Sequence, residues 1–250
     1  MIDALIEALG LARTVELLAL SPPGWGGNLL RGLVASIQIA LGAYCMGLVI
    51  GLFGAYGKLY GGPVTRDLLA VYTTVVRAVP ELVLILILYY AGTDLINRAL
   101  MAMGYARVEL SGVAAGIGVL GIVQGAYATE VLRGAIQAVP AGQVEAGRAF
   151  GMPPVKLMRR IVLPAMLPFA IPGMANLWLI ATKDTALLAV VGFSELTLQT
   201  RQAAASTRHY FTFFLAAGFL YLMVTIFSGR LFGWLERWAR RGEPDMRGAR

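Results

Sequence analysis

Residues 145–164 read EAGRAFGMPPVKLMRRIVLP, a charged, proline-punctuated stretch wedged between two apolar runs. Upstream, residues 111–132 (SGVAAGIGVLGIVQGAYATEVL) and, downstream, residues 163–182 (LPAMLPFAIPGMANLWLIAT) each approach the ~20 residues a helix needs to cross hydrocarbon. The charged stretch therefore lies outside the bilayer. Its punctuation predicts two short helices: Pro140 suits a first helical position, Gly151 a C-terminal cap, and Pro153 and Pro154 stop one helix while opening the next. The result is a compact knob. Ala146, Gly147 and Ala149 are small enough for another surface to approach closely, Glu145 sits toward the helix start, where the dipole favours an anion, and Phe150 offers an apolar anchor.

Composition agrees with a chain built around spans. Of 250 residues, 58% are hydrophobic and 14% charged, and the mean hydropathy is +0.71; a soluble domain of this size is far less apolar. The expected fold is all-α and polytopic, with five transmembrane helices at about 28–56, 68–92, 111–132, 163–182 and 210–232, and the knob on a cytoplasmic loop at 139–160. The net charge of +7 raises the question of nucleic acid, but position answers it. Thirteen of the 21 Lys and Arg fall on the side of the knob, seven on the other, and Arg77 inside a span, which is a topology signal and removes any need for a nucleic-acid partner. An odd span count then puts the amino end outside and the carboxyl end in the cytoplasm. Residues 1–27 read as an outer amphipathic segment ended by Ser21, Pro22, Pro23 and Gly24; with Asp3 and Glu7 but no early Lys or Arg, they do not read as a cleaved signal peptide. The transmembrane domain is 28–240, and 241–250 a basic cytoplasmic tail behind the Trp234 and Trp238 anchor. Residues 186–193 are too short to span and read as a short outer or re-entrant helix, followed by a polar stretch at 194–209.

Polar groups inside the spans narrow the chemistry. Arg77 and Glu81 stand four apart around Pro80 and can pair along one helix face; a structural pair and a role in the pathway are both open. The third span carries Gly112/Gly116 and Gly121/Gly125, spacings that permit tight packing, and Gln124, Tyr127, Thr129 and Glu130 on its inner half, so it is expected to be central. In the fourth span Pro164, Pro168 and Pro172 recur every four residues, with the bend expected at Pro172 and Gly173. Lys183, Asp184 and Thr185 follow directly. A lysine, an aspartate and a hydroxyl offer both charges and a hydrogen-bonding group to a polar space, although the charges can equally satisfy themselves within the protein. Cys45 is the single cysteine and His209 the single histidine, so neither an internal disulfide nor a multi-histidine metal site is expected. No G-x-x-x-x-G-K-[ST] loop and no H-E-x-x-H occur, and no catalytic constellation can be assembled, so the chain is read as no enzyme, with energy supplied from elsewhere.

Glu145, Ala146, Gly151, Ile161, Leu163 and Pro164 resemble, at matching spacing, the EAA loop of importer-type ABC transporter permeases; Gly147 departs, standing where alanine is usual. The runs YTTVVRAVPELVL (72–84), GAYATEVLRGAIQAVP (125–140) and KDTALLAVVGFSEL (183–196) are similar to the polar amino acid branch, which includes histidine, arginine and opine importers. That resemblance implies a bacterial inner-membrane permease for polar amino acids. It also implies an identical or homologous permease partner, a cytoplasmic ATPase dimer that holds ATP and magnesium, and a periplasmic amino acid binding protein; the chain itself needs no cofactor. In that reading Glu145, Ala146, Gly147, Phe150 and Gly151 form the coupling helix. Gln124, Tyr127, Glu130, Lys183, Asp184 and Thr185 lie near the substrate pathway, and the surplus of acids points to basic substrates. The competing class is an ion-gradient-driven secondary transporter or channel working through Arg77, Glu81, Glu130 and Asp184, but the sequence has no internal repeats to support it.

Overall fold

The computed structural model describes residues 11–108 and 111–241. The first ten residues of the expected outer segment, Glu109, and nearly all of the basic tail, 242–250, lie outside the described residues. Among the described residues no strand occurs. The helices are α1 (Leu11–Leu17), α2 (Gly26–Tyr60), α3 (Pro63–Ala78), α4 (Glu81–Ala102), α5 (Gly112–Gln137), α6 (Ala141–Ala149), α7 (Pro154–Leu157), α8 (Leu163–Asp184), α9 (Leu196–Thr207) and α10 (Tyr210–Ala239). A π-helical turn, Met158–Val162, joins α7 to α8, and a 3-10 helix, Thr185–Val191, continues α8. Five stretches are long and apolar enough to cross a membrane: α2, α4, α5, the continuous run Pro154–Val191, and α10. The count matches the sequence reading, and the reason is general: in hydrocarbon every backbone N–H and C=O must be paired within its own segment.

The chain divides into two compact units. One takes the chain up to Cys45, Pro80–Gly121 and Ala181–Val224. Its core gathers Ile39, Ile85, Leu120, Leu188 and Phe193, with a second cluster of Leu29, Leu196, Ala203, Ala204 and Phe213. Here Gly112 faces the Phe193 ring and Gly116 faces Leu188 and Ile39 so closely that a β-carbon would collide, which is what the first small-xxx-small pair is for. The other unit takes Met46–Val79, Ile122–Ile180 and the chain from Thr225 on. Its core is Ala55, Leu132, Ala135, Val162, Met166 and Ala170. Within it, Gly47, Gly51 and Gly54 of α2 lie against Gln124, Ala128 and Thr129 of α5, bringing the two backbones together along a stripe of small residues. As expected, α5 is the most enclosed span: 61% of its most apolar window is buried, against 17–33% for the other four.

The structure departs from the sequence reading at four places. Residues 68–92 are not one span bent at Pro80. The residue before a proline is pushed out of the α region, and Val79 accordingly takes φ −91°, ψ 137°, ending α3 at Ala78; α4 starts afresh at Glu81 and runs through Asp94 and Arg98, which pair at 2.7 Å. The second helix of the knob is not separate, because α7 leads through the π turn into α8. In the fourth span α8 stays helical through Pro168 and Pro172, and a widened turn that the sequence reading does not foresee lies just before Pro164. Pro164 cannot donate to the Arg160 carbonyl and its ring crowds it, and the turn below widens so that Leu163 N–H donates to Met158 O, five residues back. Finally, the polar stretch 194–209 holds a helix. Leu196, Thr200, Ala203 and Ala204 form its buried face, a 3.6-residue pattern that polar neighbours disguise in the sequence.

Candidate functional site

The knob is built as its punctuation requires. Pro140 is the N-cap residue, not the first helical one, and α6 runs for nine residues to Ala149. Gly151 has φ +69°, Met152 N–H donates to Gly147 O at 3.1 Å, and Gly151 N–H donates to Arg148 O at 2.9 Å. These two bonds are a Schellman closure, whose left-handed position suits glycine. Gly147 is buried where α6 lies on Leu157 and Ile161, so that a β-carbon would strike the ends of both side chains. Glycine in place of the usual alanine therefore lets α6 seat closer to the helical run of the fourth span. Around this glycine Glu145, Ala146, Arg148 and Phe150 are exposed, Phe150 to 85%. Beside them Tyr56, Tyr60, Val144, Pro154, Val155 and Met158 line a groove of 710 Å³.

In the same unit, Glu130 is fully engaged. Lys58 Nζ donates to its Oε1 at 2.6 Å and to Thr73 Oγ1 at 2.8 Å, while Arg133 donates to Oε2 at 2.8 and 3.1 Å and to Gln137 Oε1 at 2.8 Å. The carboxylate ties α5 to α2, and Lys58 extends the tie to α3 through Thr73. Taken as a substrate acceptor it would have to abandon two cations, so the expected surplus of acids is reduced by one. Gln124 is buried opposite Gly47, and Tyr127 is half-buried one turn along α5. Arg77 is exposed at the end of α3, and Glu81 opens α4 beyond the extended Val79 and Pro80. The single-helix spacing on which their pairing rested is absent.

In the other unit, Lys183 is exposed, Asp184 is buried, and the Thr185 hydroxyl donates to Thr182 O at 2.8 Å. Close by in this unit is a cluster that sequence reasoning missed. Glu195, fully buried, caps α9 by accepting from Leu198 N–H and Thr197 N–H, both at 2.8 Å. It also accepts from Ser36 Oγ of α2 at 3.2 Å and Tyr221 Oη of α10 at 3.3 Å. The Thr185 hydroxyl is within hydrogen-bonding reach of the same Tyr221. Burial pushes the Glu195 carboxyl above the usual carboxylate range, against the four hydrogen bonds that pull it down. An acid directly before LTLQTRQAAAST was the available signal; it was obscured because glutamate is not among the favoured N-caps. No group of three or more His, Cys, Asp or Glu able to hold a metal occurs among the described residues.

Residues 47–241 match the family described as the binding-protein-dependent transport system inner membrane component. The chain is 37% identical over 228 residues to an octopine transport system permease protein of Rhizobium radiobacter, covering 91% of this chain and 96% of that one. It is 37% identical over 214 residues to the histidine/lysine/arginine/ornithine transport system permease protein of Escherichia coli K12, covering 86% and 94%. A solved amino acid ABC transporter with histidines superposes with a TM-score of 0.72 at 28% identity, covering 85% of this chain and 94% of that chain.

Proposed function

The chain belongs to the family of binding-protein-dependent transport system inner membrane components, and on that premise we propose that it is the permease subunit of an ATP-driven importer of basic amino acids or related opines, with the knob around α6 seated on a separate ATPase subunit. The substrate class follows the octopine and histidine/lysine/arginine/ornithine systems to which the chain is similar. ATP and magnesium belong to the ATPase pair, a soluble binding protein delivers substrate on the opposite side, and an identical or homologous permease completes the pathway. Gln124, Tyr127, Lys183, Asp184 and Thr185 contribute to it.

The observation that carries the coupling role is the two-faced character of α6. Glu145 and Phe150 are presented to solvent, a charge and an aromatic ring of the kind that anchor protein interfaces, while Gly147 is pressed onto Leu157 and Ile161. Because Leu157 and Ile161 belong to the helical run that continues as α8, a push on α6 reaches the fourth span through packed side chains. The distribution of Lys and Arg supports a cytoplasmic knob, an outer amino end and a cytoplasmic carboxyl end; reporter fusions after Pro153 and after Gln202 should read cytoplasmic and periplasmic, respectively. The functional test is Glu145→Lys in a complex purified with its copurifying subunits. Uptake and substrate-stimulated ATP hydrolysis should both be lost while the complex still assembles. Retention of both activities would exclude the coupling role.

A further inference from the structure

A second groove, of 720 Å³, runs from the start of the knob to the ends of the fourth and fifth spans, and the coupling role does not use its chemistry. Its polar side is Arg160, Arg241 and Gln143, and its apolar side includes Pro164, Pro168 and Phe169. No acid lines it. Arg160 lies in the π turn that opens the fourth span, and Arg241 just past the end of α10, so the basic groups sit where two spans leave the hydrocarbon. Both arginines are exposed, and neither guanidinium is in an ion pair among the described residues. Their neighbours are differently placed: Arg240 pairs with Glu236 at 3.2 Å and Arg133 with Glu130 at 2.8 Å. Pro164 and Pro168 stand one turn apart on the same face of α8, and the Phe169 ring is 45% exposed beside them, so an apolar track leads from the two arginines along the span.

Two cations with no acid among the described residues of the groove, continued by an apolar track, match a ligand that is anionic at one end and hydrocarbon at the other. We propose that this groove binds one anionic phospholipid of the surrounding leaflet. The phosphate lies between Arg160 and Arg241 with the Gln143 amide donating to it, and an acyl chain runs along Pro164, Pro168 and Phe169. Since Gln143 is on α6, the lipid braces the knob against the ends of the fourth and fifth spans.

The test uses the full chain purified with its copurifying subunits in detergent, with phosphatidylglycerol and phosphatidylcholine as probes and native mass spectrometry as the readout. The wild-type complex should retain phosphatidylglycerol in preference to phosphatidylcholine, and inorganic phosphate should not displace it. Arg160→Gln with Arg241→Gln should weaken phosphatidylglycerol binding about thirtyfold, from ~1 kcal/mol for each basic residue at an anionic surface. Arg160→Lys with Arg241→Lys should largely preserve it, and Arg66→Gln, an exposed arginine elsewhere, should leave it unchanged. Equal retention of the two lipids, or undiminished phosphatidylglycerol in the double glutamine variant, overturns the proposal. Displacement by phosphate would make the groove a free-anion site, and loss of a protein subunit with lipid retained would make it a protein interface; either result overturns it too.

Discussion

Replacing Glu195 with alanine tests the buried cluster directly, because one carboxylate there accepts four hydrogen bonds from three helices and is fully buried. Loss of the cap on α9 costs about 1 kcal/mol. The Ser36 and Tyr221 hydroxyls lose an acceptor in a buried place, at about 1 kcal/mol each, the low end for orphaned polar groups because Tyr221 keeps Thr197 Oγ1 at 3.3 Å. Against this, alanine removes the cost of burying a carboxylate, which offsets part of the loss. The net expectation is a destabilisation of about 2 kcal/mol, or a fall in Tm of roughly 4–8 °C for a chain of this length. The assay is thermal unfolding of the purified chain in detergent, followed by tryptophan fluorescence. Ser36→Ala should cost less, about 1 kcal/mol. The double variant should fall short of the sum, since both changes remove the same bond. A Tm for Glu195→Ala indistinguishable from wild type, or strictly additive effects, would refute the assignment of Glu195 as the tie between α2, α9 and α10.

The same group predicts a pH dependence. Its folded pKa is raised, so the stability it contributes is fully present below the ordinary carboxyl range and is lost as pH rises through the raised value; Glu195→Gln should flatten that part of a plot of Tm against pH. At the knob, Gly147→Val should displace α6 from Leu157 and Ile161 at an overpacking cost of about 1–3 kcal/mol, abolishing uptake in complexes that still assemble, with Gly147→Ala milder. In the span interior, Glu130→Gln should lower thermal stability by leaving Lys58 and Arg133 without their carboxylate. Asp184→Asn should instead reduce uptake of a cationic substrate selectively over a neutral one.

What was legible in the sequence is what hydropathy and backbone chemistry determine locally. The five spans follow from runs of apolar residues, and the knob follows from Pro140, Gly151, Pro153 and Pro154, whose constraints act within one or two residues. One mismatch is equally local: the Val79 side chain fits the apolar run, while its backbone obeys the adjacent Pro80. The others come from effects that reach further. Pro164 was seen as one of three equivalent prolines, yet the turn before it, where α6 packs, is the one that widened. The α9 helix was hidden because its buried face is made largely of alanine and threonine, which carry little hydropathy but pack closely on Phe213 and Ala217.

The polar residues show why counting charges along an apolar chain misjudges its field. An ionised group in such a chain is stable only with partners, and those partners come from other helices that the sequence does not reveal. Glu130 counts in the sequence toward a surplus of acids, but Lys58 and Arg133 surround it with two positive charges, so the cluster is cationic as a whole. Glu195 is, among the described residues, the acid most fully enclosed, and its four donors make it a structural hub. Of the carboxylates proposed for the pathway, Asp184 is left, adjacent in sequence to the exposed Lys183. Asp184 is buried, and its proposed place beside the positive charge of a cationic substrate is what the comparison of cationic with neutral uptake in Asp184→Asn tests.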